Sequence, residues 1–219
     1  MTTLLLVRHA LCDHVGDRLA GRAAGVRLNA EGRSQGAQLA ERLADVGVEA
    51  VYTSPLERAR ETAEIIAARV RAPVMEHPEL TEIDFGEWTG KSFGELAPLD
   101  AWRRFNDSRA TALVPGGECM ADAQRRALRA IEEIASGHPE SVIVTVSHAD
   151  VIKAVLAFHL RMSLDDILRF DVAPASVSVV EVGDWGARVV RVNDVGRALE
   201  REAHRSAVDH RRAERTRER

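Results

Sequence analysis

The sequence predicts a single α/β domain: a three-layer sandwich in which a mainly parallel sheet with antiparallel edge strands carries helices on both faces, with an inserted cap. Three observations carry this. Leu4-Leu5-Leu6-Val7 and Val142-Ile143-Val144-Thr145-Val146 are short apolar runs of the kind buried on both faces of a parallel sheet. Helical patterns alternate with the strand-like runs, as the crossovers of a parallel sheet require. Near the end, residues 175–182 and 187–192 alternate around Asp184-Trp185-Gly186, a hairpin signal that puts antiparallel strands at an edge.

Composition bounds the class. The chain has 219 residues, 45% hydrophobic and 29% charged, which is ordinary for a soluble globular protein of one or at most two domains. No apolar run approaches the roughly 18 residues of a membrane span. No charged start followed by an apolar stretch and a cleavage site marks secretion, so a cytoplasmic location with no membrane partner is expected. Cys12 and Cys119 form neither a disulfide framework nor a metal-ligand spacing and read as free thiols. The formal charge of -4 argues against a nucleic-acid partner, which would need many phosphate contacts. The oligomeric state is left open between a monomer and a homodimer.

Taken in order, the first run ends in Arg8-His9, and a long loop follows, containing Arg18, Gly21, Arg22, Gly25 and Arg27. A loop of this length in a compact domain is functional or solvated, and here it is expected to shape a site. Asn29 is placed to cap a helix through Ala44, stopped by Gly47. A second strand over 50–53 leads into Ser54-Pro55-Leu56-Glu57, a capping serine, a proline at the first helical position and a glutamate at the third. That places Arg58 in the first turn, where backbone amides favour an anion and a guanidinium can bind phosphate with two hydrogen bonds. A third strand is expected over 72–76. From Ile83 to Glu118 the chain leaves the sheet, with Trp88, Phe93, Trp102 and Phe105 forming either a substrate wall or the cap's own core. Helices over 120–136 and 150–160 flank the second histidine strand, and Ser163 opens a short one. The domain is expected to span 1–199. The tail, 200–219, has seven arginines and five acids and reads as a solvated helix or disordered.

Ligands in open α/β sheets sit beyond the carboxyl ends of the strands. Two buried strands each deliver a histidine there, His9 beside Arg8 and His148 after Ser147. That pairing points to an anion and a nucleophile or proton carrier.

Arg8-His9-Ala10, Ser147-His148-Ala149, the segment from Thr53 to Ala63, the segment from Leu80 to Gly90 and Val114-Pro115-Gly116-Gly117-Glu118 together resemble the histidine phosphatase superfamily, also called the phosphoglycerate mutase-like family, in its motif order. Phe85-Gly86-Glu87-Trp88-Thr89-Gly90 resembles its phosphatase branch. The resemblance implies a phosphoric monoester hydrolase acting on a small phosphorylated metabolite through a phosphohistidine, with no cofactor and no metal. It implies His9 as nucleophile, Glu82 as proton donor, and Arg8, Arg58 and His148 around the phosphate. Arg18, Gly21, Arg22 and Ala149 are further candidates for substrate contact. A dianionic phosphate needs its charge offset before a neutral imidazole can attack, and the arginines do what magnesium does elsewhere. Two departures stand out. Alanine follows both histidines where relatives commonly have glycine, which is strained if either position needs positive φ. Leu11-Cys12-Asp13-His14-Val15 stands where relatives place a hydroxyl and an asparagine. Two other functions remain open: a phosphoglycerate-type mutase, and a phosphate-ester binding protein with little turnover.

Overall fold

The computed structural model describes residues 1–196, so the expected tail at 200–219 and the last residues of the expected domain lie outside the described residues. In chain order the elements are β1 (Thr2–Arg8), α1 (Ala30–Arg42), β2 (Val48–Thr53), α2 (Glu57–Val70), β3 (Val74–Glu76), α3 (Phe93–Leu96), α4 (Asp100–Asp107), α5 (Met120–Gly137), β4 (Val142–Ser147), α6 (Ala149–His159), β5 (Val177–Gly183) and β6 (Gly186–Asp194). One six-stranded sheet has the order β3-β2-β4-β1-β5-β6. β1, β2, β3 and β4 are parallel to one another, and β5 and β6 run antiparallel at one edge. This is the expected architecture.

Side chains alternate across a strand, so a run that is apolar at every position serves two cores. Leu4, Leu6 and Ile143 face one core, with Ile131 and Ile134 of α5 and Val151, Ile152 and Val155 of α6. Leu5, Val7, Val144 and Val146 face the other, with Leu39 of α1 and Ala59, Ala63 and Ile66 of α2. β1 and β4 pair in register from Thr3 and Val142 to Arg8 and Ser147, so the histidines that follow leave adjacent strand ends at the same height. Among the described residues no helix is long and apolar enough to cross a membrane.

Element ends differ from the expectations in instructive ways. Asn29 does cap α1, its side chain accepting from the Gly32 amide, but the helix ends at Arg42 and leaves through a turn at Leu43. The expected serine cap of α2 is not there: the helix starts at Glu57, Leu56 precedes it with no side-chain cap, and Ser54 is drawn to His148 instead. Ser163 opens a 3-10 turn, Leu164–Arg169, rather than an α-helix.

The excursion between β3 and α5 consists of two 3-10 turns, Pro78–Leu80 and Gly86–Trp88, followed by α3 and α4. Its aromatic rings pack on one another. Trp88 meets Trp102 at 5.3 Å and Phe105 at 5.5 Å between centroids, and Phe85 meets Phe105 at 6.0 Å. Trp88 and Phe105 are buried within the core of α5 and α6. Of the two readings of this aromatic concentration, packing makes it a core.

Candidate active site

The two histidines meet at the carboxyl ends of β1 and β4, ring centroids 5.2 Å apart. His9 continues the ladder, its amide donating to the Ser147 carbonyl at 2.9 Å. Its Nδ1 lies 2.8 Å from the Ala10 carbonyl, which can only accept, so the ring proton is on Nδ1 and Nε2 carries the lone pair. Arg58 Nε donates to that Nε2 at 3.2 Å. The Ala10 amide donates to Thr62 Oγ1 at 3.0 Å, and Thr62 donates to the Arg58 carbonyl at 2.7 Å, which locks the loop after β1 to α2.

Arg58 is the second residue of α2 and only 1% exposed. Its Nη2 donates to the Gly21 carbonyl at 2.8 Å and to His148 Nδ1 at 3.1 Å. That contact leaves the His148 proton on Nε2, which faces Ser54 Oγ at 2.8 Å. Arg8 Nη1 donates to the Val172 carbonyl at 2.7 Å. Among the described residues Arg8 Nε and Arg58 Nη1 are buried with no acceptor. The buried guanidinium of Arg58 and the half-buried one of Arg8, each with one buried donor left without an acceptor at the same sheet edge, form a site built for an anion. Burial first, and then Arg58, hold both imidazoles well below the usual histidine range, so both are neutral.

Glu82 completes the cluster. Its Oε2 lies 3.9 Å from His148 Nδ1, and Oε1 accepts from the Ile83 amide at 2.9 Å. With His148 neutral, the longer contact is not an ion pair. Burial and, second, the charge of Asp150 push the Glu82 carboxyl up to about 7, against the pull of Arg58 and Arg8. The loop is clamped from behind. Arg22 Nε and Arg126 Nη2 donate to the Glu82 carbonyl at 2.8 and 3.1 Å, and both guanidinium groups also bind Glu118. Glu118 further takes the Asp84 amide on its carboxylate at 3.1 Å, and its own amide donates to the Asp84 carbonyl. A Cβ on Gly117 would lie 2.2 Å from that carbonyl, so only glycine allows this approach. Ser147 Oγ donates to the Leu80 carbonyl at 2.6 Å, tying the acid loop to β4.

Residues 4–195 match the family model of the histidine phosphatase superfamily, branch 1. The chain belongs to that superfamily. Curated relatives include a bifunctional protein of Mycobacterium tuberculosis, 33% identical over 89% of this chain, of whose length the chain spans only about half, 54%. They also include a metal-independent phosphoserine phosphatase of Arabidopsis thaliana, 33% identical over 84% of this chain and 78% of the relative. Among solved structures, YhfR of Bacillus stearothermophilus superposes with a TM-score of 0.84 at 31% identity, covering 89% of this chain and 98% of that one.

Against the family pattern, the structure brings together Arg8, His9, Arg58, Glu82 and His148. Gly21 supplies its carbonyl to Arg58. Arg22 is directed at the acid loop and its carboxylates, and Arg18 at the Gly90 carbonyl and Asp17. Both are engaged with protein groups rather than with the histidines. Ala149 is the first residue of α6. Neither Ala10 nor Ala149 is among the residues with positive φ, so the chain bears no backbone strain for lacking glycine there. Asp13 is exposed and accepts from Asn29 Nδ2 at 2.9 Å, which keeps its charge on the helix cap. Sequence reasoning missed Ser54, Thr62, Arg109 and Asp150. The hydroxyls carry no signal of their own. Arg109 and Asp150, paired at 3.0 Å, lie 41 residues apart, and only the fold brings them together.

Proposed function

We propose that this protein hydrolyses small phosphomonoesters through a phosphohistidine on His9. The observation that carries the reading is the unprotonated His9 Nε2 lying beside the buried Arg58 and the half-buried Arg8, each with one buried donor left without an acceptor. Phosphatases among the relatives support hydrolysis as the outcome.

Arg8, Arg58 and His148 bind the three nonbridging oxygens, His148 in the tautomer that carries its proton on Nδ1 and accepts from Ser54 at Nε2. To do so, Arg58 gives up its contacts with the two imidazoles, which frees the His9 lone pair at the moment phosphate arrives. His9 Nε2 bonds to phosphorus as the ester P–O bond breaks, and the leaving alkoxide takes its proton from Glu82. Water then attacks the phosphohistidine and returns a proton to Glu82. Inorganic phosphate leaves and His9 is again neutral. A carboxyl near 7 is suited to both halves of this cycle. In every step the stabilising charge is supplied by guanidinium groups of the chain.

The test is a phosphate-release screen over sugar phosphates, phosphoglycerates, phosphoserine and nucleotides, run with the wild-type and His9→Ala proteins. Release from at least one class, abolished in a folded His9→Ala protein, is expected. Near-normal turnover without His9 would remove it as nucleophile. Rapid interconversion of 3- and 2-phosphoglycerate without phosphate release would make the protein a mutase, and tight binding with no turnover would make it a binding protein.

A further inference from the structure

Beside the phosphate cradle lies a second group of charges that the chemistry above does not use. Lys153 stands on α6, four residues after the Ala149 that follows His148, so about 6 Å of helix rise separates the two. It is only 7% exposed, and among the described residues its amine makes no hydrogen bond. Its nearest carboxylate is that of Asp171, at 3.8 Å, beyond hydrogen-bond range, on a side chain that is 90% exposed. Asp150, one turn back, is committed to Arg109 Nη1 at 3.0 Å. The segment that carries Asp171 also supplies the Val172 carbonyl to Arg8. Lys153 and the phosphate-binding Arg8 therefore sit against the same short loop.

The largely buried side chain brings its ammonium out to solvent beside Asp171 and over the Phe170 ring, 5.7 Å from its centroid, partners that hold it loosely, and burial lowers the Lys153 pKa, with Asp150 and then Asp171 acting against it. Arg8 and Arg109 add repulsion. Three cations, Arg8, Arg109 and Lys153, thus share the half-buried carboxylate of Asp150 and the exposed one of Asp171, with Glu82 acting on Arg8 when it is ionised. That imbalance is relieved by an anion.

We propose that Lys153 is a specificity-determining residue that takes a second anionic group of the substrate, a carboxylate or another phosphate, carried on a short leaving group beside the phosphoester. This rests on the phosphatase reading and narrows it: the preferred substrates are small phosphorylated acids or bisphosphates rather than neutral alcohol phosphates. Asp171 holds the ammonium loosely until that group displaces it.

The experiment measures binding by calorimetry, in the non-turning-over His9→Ala background, of glycerol 3-phosphate, 3-phosphoglycerate and fructose 1,6-bisphosphate, alongside kcat and KM of the His9-containing proteins. Lys153→Met is expected to weaken the carboxylate- or bisphosphate-bearing ligand about 10- to 100-fold, the strength of one charge-assisted hydrogen bond. The loss should appear in KM, leave glycerol 3-phosphate within about two-fold, and be partly restored by Lys153→Arg. The arm that responds tells carboxylate from phosphate. Asp171→Ala, at an exposed side chain that leaves folding untouched, should tighten the same ligand several-fold. Equal losses on all three ligands, or an unchanged preference in both variants, would overturn the proposal. Because binding is read without turnover, absence of hydrolysis would count against the phosphatase reading and leave the Lys153 result to stand or fall by itself.

Discussion

At the scale of single residues, the site works by keeping unlike groups in unusual protonation states. Arg58 contributes two donors to the histidines at rest and, in the proposed cycle, the same donors to phosphate. Arg58→Ala is expected to lower kcat/KM about 30- to 1000-fold, or 2 to 4 kcal/mol of transition-state stabilisation, measured on the best substrate of the screen. A loss of only a few-fold would take Arg58 out of the cradle. In that cycle Glu82 sets the pH dependence. His9 is neutral well below 6.5 and Glu82 is protonated below about 7, so kcat/KM should be level on the acid side of 7 and fall about tenfold per unit above it. Glu82→Gln should lower the rate about 10²- to 10⁴-fold and abolish that fall. The same shift acts on stability. The folded carboxyl holds its proton more tightly than the unfolded one, so its contribution is complete below pH 4.5 and is lost as pH rises through about 7. That loss is roughly 3 kcal/mol, and in Glu82→Gln the corresponding slope in denaturation midpoint should vanish.

At the scale of elements, the acid loop shows what a motif can and cannot disclose. Val114-Pro115-Gly116-Gly117-Glu118 was recognisable in the sequence as a segment, but not for what it does. In the fold it presses against the turn after Glu82, where Glu118 gathers Arg22, Arg126 and the Asp84 amide. Gly117→Ala would set a methyl 2.2 Å from the Asp84 carbonyl and 2.9 Å from the Gly86 amide, backbone atoms that have no rotamer to retreat into. The expected result is a folded protein with a displaced Glu82 and kcat at least tenfold lower, with ligand binding in the His9→Ala background little changed. If binding and rate fell together, the substitution would be disturbing the cradle rather than the acid. The start of α2 shows the opposite case. Ser54-Pro55-Leu56-Glu57 has the local chemistry of a helix cap, yet Ser54 directly follows the last residue of β2, Thr53, and lies next to His148 in space, and the tertiary hydrogen bond wins over the local one. Arg58 ends in the first turn either way, which is why its place was legible when its cap was not.

For the whole molecule, the architecture was legible because doubly buried strands have an unmistakable composition: Leu4 to Val7 and Val142 to Val146 are apolar at nearly every position since both faces are covered. The strand order was not. Nothing local says that β4 lies between β1 and β2, since that arrangement depends on contacts between distant segments. The supporting charges, Arg109 with Asp150 and Glu118 with Arg22, were hidden for the same reason.

The pairing of Arg8 with Ser147 at the end of the β1 and β4 ladder also has a kinetic meaning. β1 at the start of the chain must find β4, from Val142 to Ser147, across all of the intervening elements, and such distant pairings close late because the loop entropy must be overcome first. Helices α1 and α2 can form and pack earlier, but neither histidine then has its partner. Catalytic competence should therefore be the last property to return when the denatured protein is diluted into buffer. Far-ultraviolet circular dichroism should recover ahead of activity, and activity should track the slowest folding phase seen by tryptophan fluorescence. Recovery of activity in step with the earliest dichroism signal would mean that the two strand ends are already joined in the collapsed chain.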